Sequence, residues 1–311
     1  MLGRTANNVY WMARSVERAE NTARLLATSY NMSLLPGSGG TAADHWAAPL
    51  AMCGNGNACR ARYGDTSPAS VLAYTMLDPD NPSSIRACIR EARENARATR
   101  TALTSEVWEA INATYLEMET ISYQKLVDRG YEEVFDWVKE RSHLFRGAVV
   151  GTMRRGDAFT FSRLGTFIER ADNTARFLGI KWTVLAGTSS RMLSAEDFYR
   201  WGALLRSFSA LKAYREIYSA IIEPRRVAEL LILRRDMPRS LAACVGEIVI
   251  ILTKLRPDAP CARHAAQTLN RLEVSRVDGM LRSGLPQFLN EFIRRNAELH
   301  EMIGREFMLV Q

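Results

Sequence analysis

The chain has 311 residues, 47% of them apolar and 24% charged, which is enough to bury a substantial core and excludes disorder as the default state. Its formal charge of +7 rests on arginine, which supplies 36 of the 41 basic residues. These arginines are spread among acids and do not form a stripe with interleaved aromatics, so nucleic acid is not an expected partner. The N-terminal stretch has no apolar core of signal-peptide length, and the longest apolar run, Ile248 to Leu252, is far too short to span a bilayer. The five cysteines include no CxxC pair. The expectation is a cytoplasmic protein with reduced thiols and no membrane contact.

With only 10 Pro and 19 Gly, and with β-branched runs bounded by turn signals scarce, the expected fold class is all-α. The first element in chain order is a helix on which Val9, Met12, Val16, Ala19, Ala23 and Leu26 recur at three- and four-residue spacing as a core stripe. From Leu35 to Pro68, the runs Pro36-Gly37-Ser38-Gly39-Gly40 and Gly54-Asn55-Gly56 predict a long loop with a short helix around Trp46 to Met52. Gly54-x-Gly56 follows no predicted strand and is not read as a phosphate loop. Asp80-Asn81-Pro82-Ser83 signals a turn and then a helix, with Pro82 in a first turn where its missing N–H would be unpaired anyway. Thr104-Ser105-Glu106 opens a further helix. Phe161, Leu164, Ile168, Ala171, Ala175 and Leu178 then repeat the stripe of the first helix, Asp236-Met237-Pro238 repeats the turn signal, and Leu285-Pro286 opens the last helix.

That second stripe belongs to a longer internal match. Glu17-Arg18-Ala19-Glu20-Asn21-Thr22-Ala23-Arg24-Leu25-Leu26 and Glu169-Arg170-Ala171-Asp172-Asn173-Thr174-Ala175-Arg176-Phe177-Leu178 agree at eight of ten positions. Further on, Val71, Leu77, Asp80, Pro82, Ser84, Ala87 and Cys88 match Val227, Leu233, Asp236, Pro238, Ser240, Ala243 and Cys244 in the same order. A period of half the chain is too long for a solenoid repeat of about 34 to 47 residues. The expected architecture is a helical bundle of about eight to ten helices formed by internal duplication. Its two halves, 1–156 and 157–311, are expected to be pseudo-two-fold related and packed as one domain, with the 35–68 loop inserted in the first. The seam between them is the natural place for a cleft.

Tyr10, Arg14, Glu17, Asn21 and Arg24 share one face of the first helix, and Ser162, Thr166, Glu169, Asn173 and Arg176 form the matching row. An exposed row would not need the same Glu, Asn and Arg in two otherwise diverged halves, so both rows are expected to be buried or to line a site. Two readings stay open. In one, Glu17 and Glu169 pair with arginines of the opposite half and hold the molecule together. In the other, paired carboxylates and guanidiniums face a cleft and bind an anionic or zwitterionic ligand, with Glu17 or Glu169 as candidate acid or base. Arg18 and Arg170 project to the side and can stack on aromatics or bridge helices. Cys88 and Cys244 read as core. His45, His143, His264 and His300 are scattered and the Glu-x-x-His pair of di-iron bundles is missing, so no metal or other cofactor is expected.

The segments Arg4 to Arg14 with Tyr10-Trp11-Met12, Glu17-Arg18-Ala19-Glu20-Asn21, Arg163 to Arg176 and Asp236-Met237-Pro238-Arg239-Ser240 resemble the bacterial Alpha-E family over essentially the whole chain. The family is named for helical content and a Glu-Arg motif, which maps onto Glu17-Arg18 and Glu169-Arg170. The resemblance implies a companion of circularly permuted ATP-grasp ligases and of transglutaminase-like peptidases, with a part in making or processing amide bonds. The candidate ligand contacts are therefore Tyr10, Arg14, Glu17, Arg18, Asn21, Arg24, Arg163, Glu169, Arg170, Asn173 and Arg176. The leading expectation is an accessory subunit that binds the ligase or its peptide-like substrate; an enzyme in its own right and a plain scaffold are the alternatives.

Overall fold

The computed structural model describes residues 1–34, 42–53, 56–186 and 195–308. Among the described residues there are sixteen α-helices and no strand. The first eight are α1 (Gly3–Ser33), α2 (Ala42–Cys53), α3 (Gly56–Tyr63), α4 (Pro68–Leu72), α5 (Ile85–Ala98), α6 (Ser105–Glu119), α7 (Tyr123–Arg129) and α8 (Tyr131–Thr152). The second eight are α9 (Asp157–Ala186), α10 (Ala195–Ser207), α11 (Leu211–Ile217), α12 (Pro224–Ile232), α13 (Leu241–Leu255), α14 (Pro260–Val274), α15 (Val277–Ser283) and α16 (Leu285–Phe307). Each helix of the second run starts 153 to 156 positions after the helix of the same rank in the first. No described helix is long and apolar enough to cross a membrane.

The all-α expectation holds, and two details of it change. Sixteen helices replace the eight to ten expected, because short elements such as α3, α7 and α11 carry too few residues to show a period. In the expected loop 35–68, the short helix expected around Trp46 to Met52 is present as the longer α2, and α3 is a second helix where loop was expected. Trp46, Leu50 and Cys59 are buried, and this burial holds both helices in place despite Pro49 inside α2. The glycine-rich run at 36–40 and positions 54 and 55 of Gly54-x-Gly56 lie outside the described residues.

Local chemistry explains where several helices begin, and it does so twice. The Ser84 hydroxyl accepts from the Ala87 N–H at 3.1 Å and donates to the Asp78 carbonyl at 2.6 Å, capping α5 and closing the preceding turn. The Ser240 hydroxyl accepts from the Ala243 N–H at 3.0 Å and donates to the Arg234 carbonyl, capping α13 in the same way. One turn further, the Cys88 and Cys244 thiols point at the carbonyls of Pro82 and Pro238, at 3.6 and 3.8 Å. Between α7 and α8 stands Gly130 with φ +85°, and between α15 and α16 stands Gly284 with φ +98°, a left-handed backbone that glycine takes without strain.

The chain divides into two compact units. One comprises Met1–Tyr30, Gly40–Glu169 and Phe307–Gln311, so it takes in α1 as far as Tyr30, α2 to α8 and the first part of α9. Its core gathers Ala23 and Leu26 of α1, Trp46 of α2, Ile85 and Cys88 of α5 and Phe135 of α8. The other comprises Asn31–Gly39 and Arg170–Glu306. Within it α13 packs on α14, and α13 is buried on most sides through Leu241, Val245, Ile248 and Leu252, as its almost unbroken apolar sequence requires.

Candidate functional site

Within the first unit α1 meets the opening turns of α9. At Gly165 the two backbones come so close that a methyl group would collide with the Tyr10 carbonyl oxygen, and Arg14 Cγ would lie 3.3 Å away. This approach sets Glu169, one turn beyond Gly165, against Arg14 and Arg18. Arg14 Nε donates to Glu169 Oε2 at 2.8 Å and Arg18 Nε to Oε1 at 2.6 Å, with Arg18 Nη2 reaching Oε2 at 3.1 Å. The Glu169 side chain is only 4% exposed. Burial alone would raise its carboxyl, but the charges and hydrogen bonds of Arg18 and Arg14 outweigh it and hold the pKa at about 2. Burial also opposes the Arg18 charge, and Glu169 reverses that, so the arginine's pKa is raised.

The Arg14 guanidinium lies 4.5 Å from the centre of the Trp11 ring and 5.5 Å from that of Tyr10. Tyr10 is fully buried, and that burial pushes its phenol up to about 12. Arg14 Nη1 is buried without a hydrogen-bond acceptor among the described residues.

A second group lies between α1 and α8. Arg146 Nη1 contacts Glu17 Oε2 at 3.1 Å, contacts Glu20 Oε2, and donates to the Ser142 hydroxyl at 2.8 Å. Ser142 in turn donates to Glu20 Oε2 at 2.7 Å, and Arg24 Nε donates to Glu20 Oε1 at 2.8 Å. The Asn21 amide donates to Glu17 Oε1 at 3.5 Å. His143 Nε2 stands 3.7 Å from Glu20 Oε1 on an exposed side chain. Both carboxylates are buried, while Arg146 is partly open to solvent.

The expected residues therefore divide. Tyr10, Arg14, Arg18 and Glu169 converge on one cluster; Glu17, Asn21 and Arg24 join a neighbouring one through Arg146 and Glu20. The second row does not stay buried along its length, since Arg176 is exposed and pairs with Asp172 at 2.6 Å, whereas its counterpart Arg24 is buried. Thr166 is buried and donates to the Ser162 carbonyl at 3.1 Å, a bond within its own helix. Arg163 is half-buried, with its guanidinium 5.2 Å from the Phe167 ring centre and 5.8 Å from that of Phe159. Arg170 is buried and Asn173 half-buried, both in the second unit.

Sequence reasoning passed over Glu20, Ser142, His143 and Arg146. Glu20 stood in the ten-residue match opposite another acid, Asp172, and Ser142 and Arg146 lie one turn apart on α8. Those were the signals available. Among the described residues no three His, Cys, Asp or Glu side chains are grouped so as to hold a metal ion.

No curated protein and no solved structure matches the chain. One family model does, over residues 1–308, and it describes a predicted α-helical domain with a conserved Glu-Arg motif. The helices are as that description says, and Glu-Arg pairs stand on α1 and α9: the chain belongs to the Alpha-E family.

Proposed function

We propose that the chain is a helical accessory protein that works with a circularly permuted ATP-grasp ligase, and with a transglutaminase-like peptidase where one accompanies it, in forming or processing amide bonds. The observation that carries this reading is the state of the Glu-Arg motif. Glu169 is enclosed by Arg14 and Arg18 with its carboxyl held at about 2. A general base is best poised near the working pH and within reach of its substrate proton; a buried, doubly paired carboxylate fits a structural clamp. The motif thus serves the architecture, and bond-forming chemistry is assigned to the partner.

The two runs of eight helices are read as copies of one ancestral unit. Their common order and spacing support this, as do the paired serine caps at Ser84 and Ser240.

The test is to produce the chain together with an ATP-grasp ligase encoded beside it. The expected result is co-purification, with ATP turnover by the ligase on a peptide acceptor altered at least severalfold by the chain. A ligase that neither associates with the chain nor changes its turnover would overturn the proposal.

A further inference from the structure

The first unit contains a pocket that neither ion-pair cluster explains. It is walled by α1, α5, α6 and α8 through Val16, Ala19, Ala92, Ala110, Ile111 and Phe145, and its lining is almost wholly apolar. The space open to a water-sized group is about 20 Å³, and the unfilled volume counted out through the mouth is about 350 Å³. The floor therefore takes about one methyl group, and the rest of an occupant lies in a mouth that opens to solvent.

Within this lining Arg141 is the one charged side chain. It is 32% exposed and pairs with Glu117 of α6 at 3.2 Å, a half-exposed ion pair of the kind that contributes little and exchanges readily. Its guanidinium lies 5.9 Å from the centre of the Trp137 ring, and Trp137 Nε1 is buried with no acceptor among the described residues. The other polar groups of the lining are already engaged: Thr114 donates to the Ala110 carbonyl at 2.6 Å, and Ser142 donates to Glu20. An apolar floor beside one guanidinium held by a partly exposed ion pair calls for an occupant with an aliphatic tail and an anionic planar head that competes with Glu117.

We infer that this pocket binds a short branched aliphatic carboxylate, with the tail between Ala92 and Val138 and the carboxylate on Arg141. The site stands independently of the ligase reading.

The second run indicates which substitution closes the pocket. Counted from the helix starts, Ile248 stands where α5 has Ala92, and Phe292 where α8 has Val138, while Ala266 and Leu299 are smaller than Ile111 and Phe145. A bulkier residue at the Ala92 position is therefore compatible with a helix of this kind.

The full chain is titrated with 3-methylbutanoate, and with 3-methylbutylammonium as a control of similar shape and opposite charge, while the Trp137 indole N–H is followed by NMR after assignment with Trp137→Phe. Saturable binding of the carboxylate is expected at about 1 to 10 mM, with none by the amine. Ala92→Ile abolishes it in a chain that keeps its helical circular dichroism and a cooperative melt. Arg141→Gln, a change on a partly exposed side chain that leaves folding intact, weakens it about tenfold. No saturation by the carboxylate, equal binding of the amine, or full affinity in Arg141→Gln would each overturn the assignment.

Discussion

At the scale of single residues, charge and burial oppose each other, and Glu169 and Lys181 resolve that opposition differently. Glu169 keeps its charge because Arg14 and Arg18 surround it, which lowers its pKa from 4.5 to about 2. The unfolded chain therefore takes up the proton first as pH falls. The resulting stabilisation is complete above about pH 4.5 and is lost as pH drops through about 2, amounting to about 3 kcal/mol. Glu169→Gln should cost roughly 3 to 5 kcal/mol at pH 7, since it leaves the buried Arg14 and the partly buried Arg18 facing a neutral amide. Urea denaturation at a series of pH values checks both points, because the variant should show a flatter acid limb than the parent. Lys181 is the reverse case. It is buried with no hydrogen bond or ion pair among the described residues, and burial lowers its pKa from 10.5 to about 8. The folded state therefore carries an unfavourable charge below about pH 8, and stability rises from there towards pH 10.5, where the unfolded chain also loses the proton. Lys181→Met should stabilise the protein by roughly 1 to 3 kcal/mol at pH 7 and by little above pH 10.5, as thermal melts at the two pH values would show. Arg18 and Glu169 were legible in the sequence because internal identity singled them out, and Arg14, whose counterpart is Thr166, because it shares a helix face with Glu17. Lys181 was not, because its counterpart on α1, counted through the Glu17–Glu169 match, is Ser29, and burial of one long side chain leaves no pattern.

At the scale of elements, the contact between α1 and α9 depends on the absence of a side chain. A Cβ at Gly165 would meet backbone, which cannot rotate away as a flexible side chain could. Gly165→Ala should therefore push the helices apart and destabilise the protein by roughly 1 to 3 kcal/mol, although alanine is the better helix former. Chemical denaturation checks the magnitude. A stabilised variant would mean that this close approach is not what positions Glu169. The matching position on α1 is Ala13, fully buried, so the ten-residue repeat gave no warning that its upstream neighbour had to be glycine. The helical stripes, the serine caps at Ser84 and Ser240 and the opening of α16 were readable because each rests on local periodicity or a local hydrogen bond. Helix α2 was read only in part, as the short helix around Trp46 to Met52, and α3 was not read at all. Pro36 to Gly40, Pro49 and Gly54 are breakers by any local rule, and what holds the two helices is burial of Trp46, Leu50 and Cys59, a tertiary effect invisible in a short window.

At the scale of the whole molecule, the order of the helices and the division into compact units do not coincide. By order the chain falls into α1 to α8 and α9 to α16, yet the unit that contains α1 also takes in α9 as far as Glu169. The second run thus lends its first turns to the first, and Arg14 and Arg18 depend on a carboxylate from beyond position 156. If the runs descend from a protein that worked as a dimer, this exchange is what remains of its subunit contact. Residues 1–156 made alone lack Glu169 and should not melt cooperatively, since the buried Arg14 and the partly buried Arg18 lose that counter-ion and the face of α1 around Tyr10 and Ala13 loses its cover. Made together with residues 157–311, the fragment should recover a cooperative transition and co-purify with its complement. Glu169→Ala in the second fragment should weaken that association by at least about tenfold. A fragment 1–156 that melts cooperatively by itself would mean that apolar packing suffices and that the Glu-Arg clamp only orients α9 on a unit already formed.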